Sequence, residues 1–213
     1  MTNNKHNLII AIPKGRIINE LSQVFSNINF DLEKDFYNDD SRKLLFATNI
    51  KNLKAIKVRS FDVATFVNSG FVDFGICGTD VIKEFNFSNV VTLFDLNIGK
   101  CRISLAGKKD ITLSKNFKEN ISSFYGKNIK IASKYVNISQ KYCKKIGFQP
   151  NIIKLNGSIE IAPYLGICDF IIDLVSSGKT LKENNMKEID VIEDISSYFV
   201  EFMGNFANCS SFA

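Results

Sequence analysis

Residues 169–183 constrain the chain more tightly than any other stretch. The apolar run Phe170-Ile171-Ile172 and Leu174-Val175, interrupted by Asp173, gives way to Ser176-Ser177-Gly178-Lys179-Thr180 and then to Leu181-Lys182-Glu183. A run of that length and branching predicts a buried strand of a parallel sheet, followed by a tight turn and a helix. Thr180 with Glu183 three residues on matches a capping box, which would open the helix. Backbone N–H groups of a Ser/Gly turn at a helix start, with hydroxyls beside them, make a site for a phosphate group. Asp173 cannot help hold an anion. Its carboxylate can accept hydrogen bonds from sugar hydroxyls, or hold a Mg²⁺ ion that rides with a diphosphate. The whole pattern suits a ribose 5-phosphate; the plainer alternative is an ordinary strand-loop-helix connection with capping hydroxyls, and the local pattern leaves both open.

Gly178-Lys179-Thr180 resembles the end of a Walker A loop. That loop needs glycine at position 173, where this chain has Asp173, so a P-loop is excluded. The sole histidine, His6, rules out a His-based metal cluster or a Ser-His-Asp triad. Five scattered cysteines (Cys77, Cys101, Cys143, Cys168, Cys209) without C-x-x-C spacing read as reduced thiols of a cytoplasmic protein. No segment has the roughly 18 to 20 apolar residues of a membrane span, and the N-terminus lacks a signal-peptide core. The net charge of +5 suits polyanionic substrates. The lysines are dispersed, with no basic tract or aromatic ladder, so neither a membrane nor a nucleic acid is expected as partner.

The rest of the chain alternates strands and helices without repeat, linker or low complexity, which argues for α/β layers. Leu8 to Ile12 is a short apolar strand, ended by Pro13-Lys14-Gly15-Arg16. Ile17, Ile18, Leu21, Val24 and Phe25 then recur at helical spacing. Strand, glycine turn and helix again give a phosphate-accepting geometry, here with Lys14 and Arg16 beside the helix start; a solvated turn is the alternative. Lys43 to Thr48 and Leu53 to Val58 read as strands, and Arg59 precedes a helix closed near Gly70. Val72 to Val81 is a strand with Gly75 and Gly78 near its end, where glycine serves either packing or close approach to a ligand. Further strands are read at 90–96, 100–106, 129–132 and 152–155, with a helix at 137–146. Asn156 to Pro163 is another turn at a strand end. It places Glu160 on the ligand side of a parallel sheet, where a Glu in a first helical turn also simply complements the dipole. Two last apolar runs cover 188–192 and 198–202.

Several of these segments together are similar to one family. Ile10-Ala11-Ile12-Pro13-Lys14-Gly15-Arg16-Ile17, Val58-Arg59-Ser60-Phe61-Asp62-Val63, Asp73-Phe74-Gly75-Ile76-Cys77-Gly78, Gly99-Lys100-Cys101-Arg102 and Leu155 to Pro163 resemble ATP phosphoribosyltransferase, as does the stretch through Asn184. The likeness runs from about residue 8 to 193, in order. The chain departs from the family in Tyr198 to Gly204, where a basic, aliphatic ending is usual, and at Val136, where proline is usual.

The resemblance implies a two-lobed, periplasmic-binding-protein-like (type II) α/β fold with the active site in the interlobe cleft. Lobe I would comprise residues 1–97 and 188–213, and lobe II residues 98–187. The chain stops where a long form would continue into a regulatory domain, so the resemblance implies the short form, working with a regulatory subunit that resembles histidyl-tRNA synthetase, in a hetero-octamer. Substrates would be ATP and phosphoribosyl diphosphate, with Mg²⁺ on the diphosphate. Ser176, Ser177, Gly178, Lys179 and Thr180 would hold the 5-phosphate and Asp173 the ribose hydroxyls. Lys14, Arg16 and Arg59, with Arg102, would neutralise the diphosphate and ATP phosphates, and Glu160 would assist the ribose or the metal. Two other readings share parts of the pattern. A ligand-sensing module would share the fold. Another phosphoribosyltransferase would place two adjacent acids before the turn, where this chain has Asp173-Leu174.

Overall fold

In a computed structural model of the chain, residues 7–111 and 117–205 are described. His6 and Cys209 lie outside them. One compact unit is built from the described residues up to Gly99 and from Ser196 onward, and a second from Lys100 to Ile195.

The first unit is a six-stranded sheet. Its strands are β1 (Leu8–Pro13), β2 (Leu45–Ala47), β3 (Leu53–Val58), β4 (Phe74–Gly78), β5 (Val90–Asp95) and β11 (Ser197–Phe202), in the order β2-β3-β1-β4-β11-β5. β3, β1 and β4 are parallel, while β2, β11 and β5 run antiparallel to their neighbours. Successive strand residues point to opposite faces, so the continuous apolar run of β1 serves two cores at once. Ile10 and Ile12 pack with Leu21 and Phe25 of α1 (Ile18–Asn27) on one face. Ala11 packs with Val63, Ala64 and Val67 of α2 (Ser60–Asn68) on the other. The departing tail residues Tyr198 to Phe202 form β11, an interior strand between β4 and β5. Between α1 and β2 a 3₁₀ turn at Lys34–Tyr37 buries Phe36.

The second unit has five strands in the order β10-β6-β9-β7-β8: β6 (Cys101–Lys108), β7 (Lys130–Ser133), β8 (Asn151–Lys154), β9 (Phe170–Val175) and β10 (Met186–Ile195). β8, β7 and β9 are parallel; β6 and β10 are antiparallel to their neighbours. Ile171 and Val175 of β9 face a cluster containing Ile159, Leu181 and Met186. Phe170 faces the other way, into an aromatic group with Phe117, Phe124 and Phe148. Ile171 and Ile172 are 1% and 0% exposed, and burial of each contributes about 1.5–3 kcal/mol. Helix α4 (Val136–Lys145) joins β7 to β8, a 3₁₀ turn at Ile159–Ile161 lies between β8 and β9, and α5 (Lys179–Glu183) follows β9.

Residues 188–195, assigned to the first lobe on sequence grounds, belong by contact to the second unit. The reason is register. β10 pairs with β6 from Met186 beside Lys108 to Ile195 beside Cys101, so the chain leaves this unit only at Ser196.

Candidate active site

Each unit carries its candidate residues at the carboxyl ends of its parallel strands. In the first unit, the turn after β1 leads to α1 on one face and β3 leads through Arg59 to α2 on the other. Adjacent parallel strands whose connections leave on opposite faces open a crevice at their carboxyl ends. The Lys14 N–H donates to the Val58 carbonyl across this crevice at 2.8 Å. Gly15, at φ 103°, makes the turn there, a backbone conformation that costs a side-chain-bearing residue strain. Lys14, Arg16 and Arg59 are exposed around it, and none pairs with an acid among the described residues. The structure therefore brings these three cations to one end of one sheet.

In the second unit, the turn Ser176-Ser177-Gly178 leaves β9 and enters α5, whose Leu181 packs on the Ile171 face. Gly178 adopts φ 73° and ψ 5° and begins the helix at Lys179. The expected capping box is not formed. Gly178 is the N-cap residue and no side chain caps the helix. Thr180 thus lies inside the first turn, because the left-handed glycine starts the helix two residues earlier than the Thr/Glu spacing implied. Ser176, Ser177, Lys179 and Thr180 are exposed, and the Lys179 N–H lies 3.4 Å from the Ser177 hydroxyl. Lys179 is paired loosely with Glu183 at 3.7 Å, with both side chains mostly in solvent, where such a pair contributes little.

Asp173 lies on β9 with Ile171 and Val175, facing the α5 side by strand alternation, and is half-buried. One of its carboxylate oxygens accepts the Leu174 N–H at 2.8 Å. Glu160 lies in the 3₁₀ turn after β8, at the same end of the parallel trio, next to buried Ile159. Ser158 before it has φ 51°.

Arg102 has a more definite setting than its sequence context suggested. Its Nε and Nη2 each donate to a carboxylate oxygen of Glu188 at 2.6 Å, and its Nη1 donates to the Ser176 carbonyl at 3.1 Å. The Ser104 hydroxyl donates to Glu188 Oε1 at 2.5 Å. These donated hydrogen bonds, Arg102 first, hold the Glu188 carboxyl below its ordinary value of 4.5. Arg102 is thus tied to the backbone of the Ser176-Ser177-Gly178 turn, whereas the resemblance implied a cation for the diphosphate. A cavity of about 470 Å³ lies against this group, lined by Arg102, Ser177, Gly178 and Glu188 and by Lys109, Lys182 and Lys187. Sequence reasoning missed Glu188. Its partner is 86 positions away, and an acid in an alternating edge strand carries no local signal.

Buried Cys77 and Cys143 are not nucleophiles. Burial pushes the Cys143 thiol up to about 12 and Cys77 higher still.

Two α/β sheets, each with its candidate groups at a topological switch point, define the class: a two-unit fold of the periplasmic-binding-protein type. The same architecture occurs in the substrate binding protein of an amino acid ABC transporter (TM-score 0.55, 18% identity, 94% of this chain and 87% of that one). It also occurs in a histidine kinase sensor domain with similarity to periplasmic binding proteins (TM-score 0.59, 9% identity, 99% and 89%). The family is narrower. Residues 59–207 match the model of HisG, ATP phosphoribosyltransferase. The chain is 42% identical over 193 residues to the ATP phosphoribosyltransferase of Rhizorhabdus wittichii, spanning 91% of this chain and 85% of that one. It is 40% identical over 193 residues to that of Bacillus subtilis, spanning 91% and 84%. Among solved structures it resembles the ATP phosphoribosyl transferase (HisG:HisZ) complex from Thermotoga maritima, with TM-score 0.74 and 31% identity over 96% of this chain and 92% of that one. The chain belongs to the ATP phosphoribosyltransferase family, pentosyltransferases that join phosphoribosyl to ATP in the first step of histidine biosynthesis.

Proposed function

We propose that the chain transfers phosphoribosyl from phosphoribosyl diphosphate to N1 of ATP through the residues described above. The observation that carries this assignment is the Ser176-Ser177-Gly178 turn, open to solvent at the carboxyl end of β9 with Asp173 on the same strand. The turn's N–H groups and the Ser176, Ser177 and Thr180 hydroxyls receive the 5-phosphate, with Lys179 beside them. Asp173 accepts hydrogen bonds from the ribose hydroxyls, and Glu160 assists the ribose. Lys14, Arg16 and Arg59 neutralise the diphosphate and the ATP phosphates. The lone pair of adenine N1 forms a bond to the anomeric carbon while the bond to the diphosphate oxygen breaks, and diphosphate leaves with that electron pair. Positive charge develops on the sugar and negative charge on the leaving group, so positioning and electrostatics carry the reaction. N1 attacks with its own lone pair, and no general base is assigned.

Mg²⁺ enters this scheme as part of the substrate, carried on the diphosphate. Among the described residues no three acidic, histidine or cysteine side chains converge as a resident metal site. Asp173 is the carboxylate of the turn's own strand that could reach the ion. We also propose the short-form assembly, a hetero-octamer with a regulatory subunit resembling histidyl-tRNA synthetase. Its support is the similarity to a chain of the HisG:HisZ complex. The location proposed is the cytoplasm, on the reading of the scattered cysteines as reduced thiols.

The test is product formation from ATP, phosphoribosyl diphosphate and Mg²⁺, with the purified chain alone and then with the synthetase-like partner of its organism. Turnover in either case supports the assignment, and dependence on the partner supports the assembly. No turnover in both, with folded protein, refutes the catalytic reading in favour of ligand binding alone.

A further inference from the structure

We infer that Glu188 is a positioning residue for the phosphate turn: its carboxylate clamps Arg102 so that the guanidinium holds the Ser176 carbonyl and sets where the turn leaves β9. The inference rests on the phosphoribosyl reading above. Glu188 receives three hydrogen bonds, two from the Arg102 fork at 2.6 Å and one from Ser104 at 2.5 Å. A two-point fork fixes the plane of the guanidinium, and that plane aims Nη1 at the Ser176 oxygen 3.1 Å away. The clamp is built beside the site. On β6, Ser104 stands opposite Asp173 and Arg102 opposite Val175, the last residue before the turn.

Two features show that this is a directed contact. The residue opposite Arg102 on β10 is Asp194, yet the guanidinium goes to Glu188. Glu188 also sits where the β10 register shifts, between Glu188 and Asp190. Such irregularities re-aim a side chain that a regular strand would direct elsewhere. Glu188 lines the same cavity as Ser177 and Gly178. An acid there repels a phosphate, so its presence is accounted for by what it holds.

Charge and position predict opposite signs for one substitution. If Glu188 acted only through its charge, Glu188→Gln would tighten binding of an anionic substrate. If it positions the turn, the same change weakens binding, since the amide accepts from Arg102 at one point instead of two. The experiment is calorimetry of phosphoribosyl diphosphate with Mg²⁺ on the wild-type chain, Glu188→Gln and Glu188→Ala, with KM for both substrates measured on the assembled enzyme. The expected result is affinity about tenfold weaker in Glu188→Ala, the loss of a charged hydrogen-bonded anchor. Glu188→Gln should fall between, and KM for ATP should stay unchanged in both. Equal or tighter binding in Glu188→Gln overturns the inference and leaves the functional reading intact. If Glu188→Ala does not fold, Glu188→Gln decides alone. A wild-type chain that binds no phosphoribosyl diphosphate overturns the functional reading and this inference with it.

Discussion

Replacing Gly178 by alanine tests whether the turn proposed to hold the 5-phosphate depends on a backbone that only glycine adopts cheaply. Gly178 has φ 73° and ψ 5°. The space around it is open, since the nearest heavy atom to an added Cβ is Val175 Cγ1 at 4.0 Å. Sterics therefore drop out, and the remaining cost is that of the left-handed conformation, about 1–2 kcal/mol for a residue with a Cβ. Where that cost appears depends on which yields. If the fold holds the turn, stability falls, and at about 2–4 °C per kcal/mol for a chain of this size Tm drops by about 2–8 °C with affinity kept. If the turn relaxes, Tm is kept, the N–H groups move, and phosphoribosyl diphosphate affinity falls by roughly 5- to 30-fold. Thermal melts and calorimetry on the same samples measure both, and the two losses together should equal the backbone cost. Asparagine tolerates this conformation, as it does at positions 29, 52, 86, 97 and 185 of this chain, so Gly178→Asn should recover most of the loss. Gly157→Ala, with open space and no left-handed φ, should be neutral. Gly178→Ala with Tm within about 1 °C and affinity within about twofold of wild type would refute the reasoning.

Three further outcomes are expected. Asp173→Asn should lower kcat/KM roughly 100-fold, two charged hydrogen bonds to ribose hydroxyls at about 1.5 kcal/mol each, with the melt unchanged; near-normal steady-state activity contradicts its role. Glu188 is held below 4.5 in the folded chain by the bonds from Arg102 and Ser104. A depressed carboxyl contributes stability that is present above its unfolded value and lost as pH falls through its folded one. The Tm difference between wild type and Glu188→Gln should therefore be constant near neutrality and close as pH falls below about 4.5; a difference that persists in acid shows the carboxylate is not its source. Gly75→Ala should destabilise by about 1–3 kcal/mol through overpacking, because the new Cβ would meet Val63 Cγ1 at 2.7 Å and Val67 Cγ2 at 2.9 Å. Denaturant melts measure it, and a neutral result means α2 retreats from β4 freely.

The strands were legible because burial writes itself locally. β3 runs from Leu53 to Val58, as its apolar pattern predicted, and β9 starts at Phe170 and ends at Val175 because Asp169 and Ser176 bound the run. Gly75 could be read either as approach to a ligand or as packing, and the structure decides for packing against α2. The capping box failed because Thr180 and Glu183 have the right spacing whether or not Thr180 is the first residue outside the helix. Only the sign of φ at Gly178 decides that. The boundary at 188 failed for a related reason: Glu188 to Ile192 reads as a strand in either unit, and only its register with β6 assigns it. Arg102 looked like a free cation because its acid lies far along the chain. In each case the missing information is a long-range pairing or a dihedral angle, neither of which has a residue-type signature.

The two sheets also share a topology that no sequence repeat announced. In the first unit the parallel strands lie in the order β3-β1-β4, with antiparallel β11 beside β4; in the second they lie in the order β8-β7-β9, with antiparallel β6 beside β9. In each, the first strand in sequence lies in the middle, so its connection and that of a neighbour leave on opposite faces and the strand ends stay uncovered. This fixes where a site can form and says nothing about its chemistry, as the same architecture at under 20% identity serves a transporter's substrate binding protein and a histidine kinase sensor domain. The chemistry comes from what the loops hold. The first unit offers side-chain cations, Lys14, Arg16 and Arg59, on turns with exposed ends, which suit polyphosphates that vary in reach. The second offers backbone N–H groups and hydroxyls in a turn anchored through Arg102, which suits one phosphate at a fixed distance from a sugar. Under the proposed function the anchored turn would hold the phosphoribosyl group still, and the longer, more mobile cations would suit the departing diphosphate.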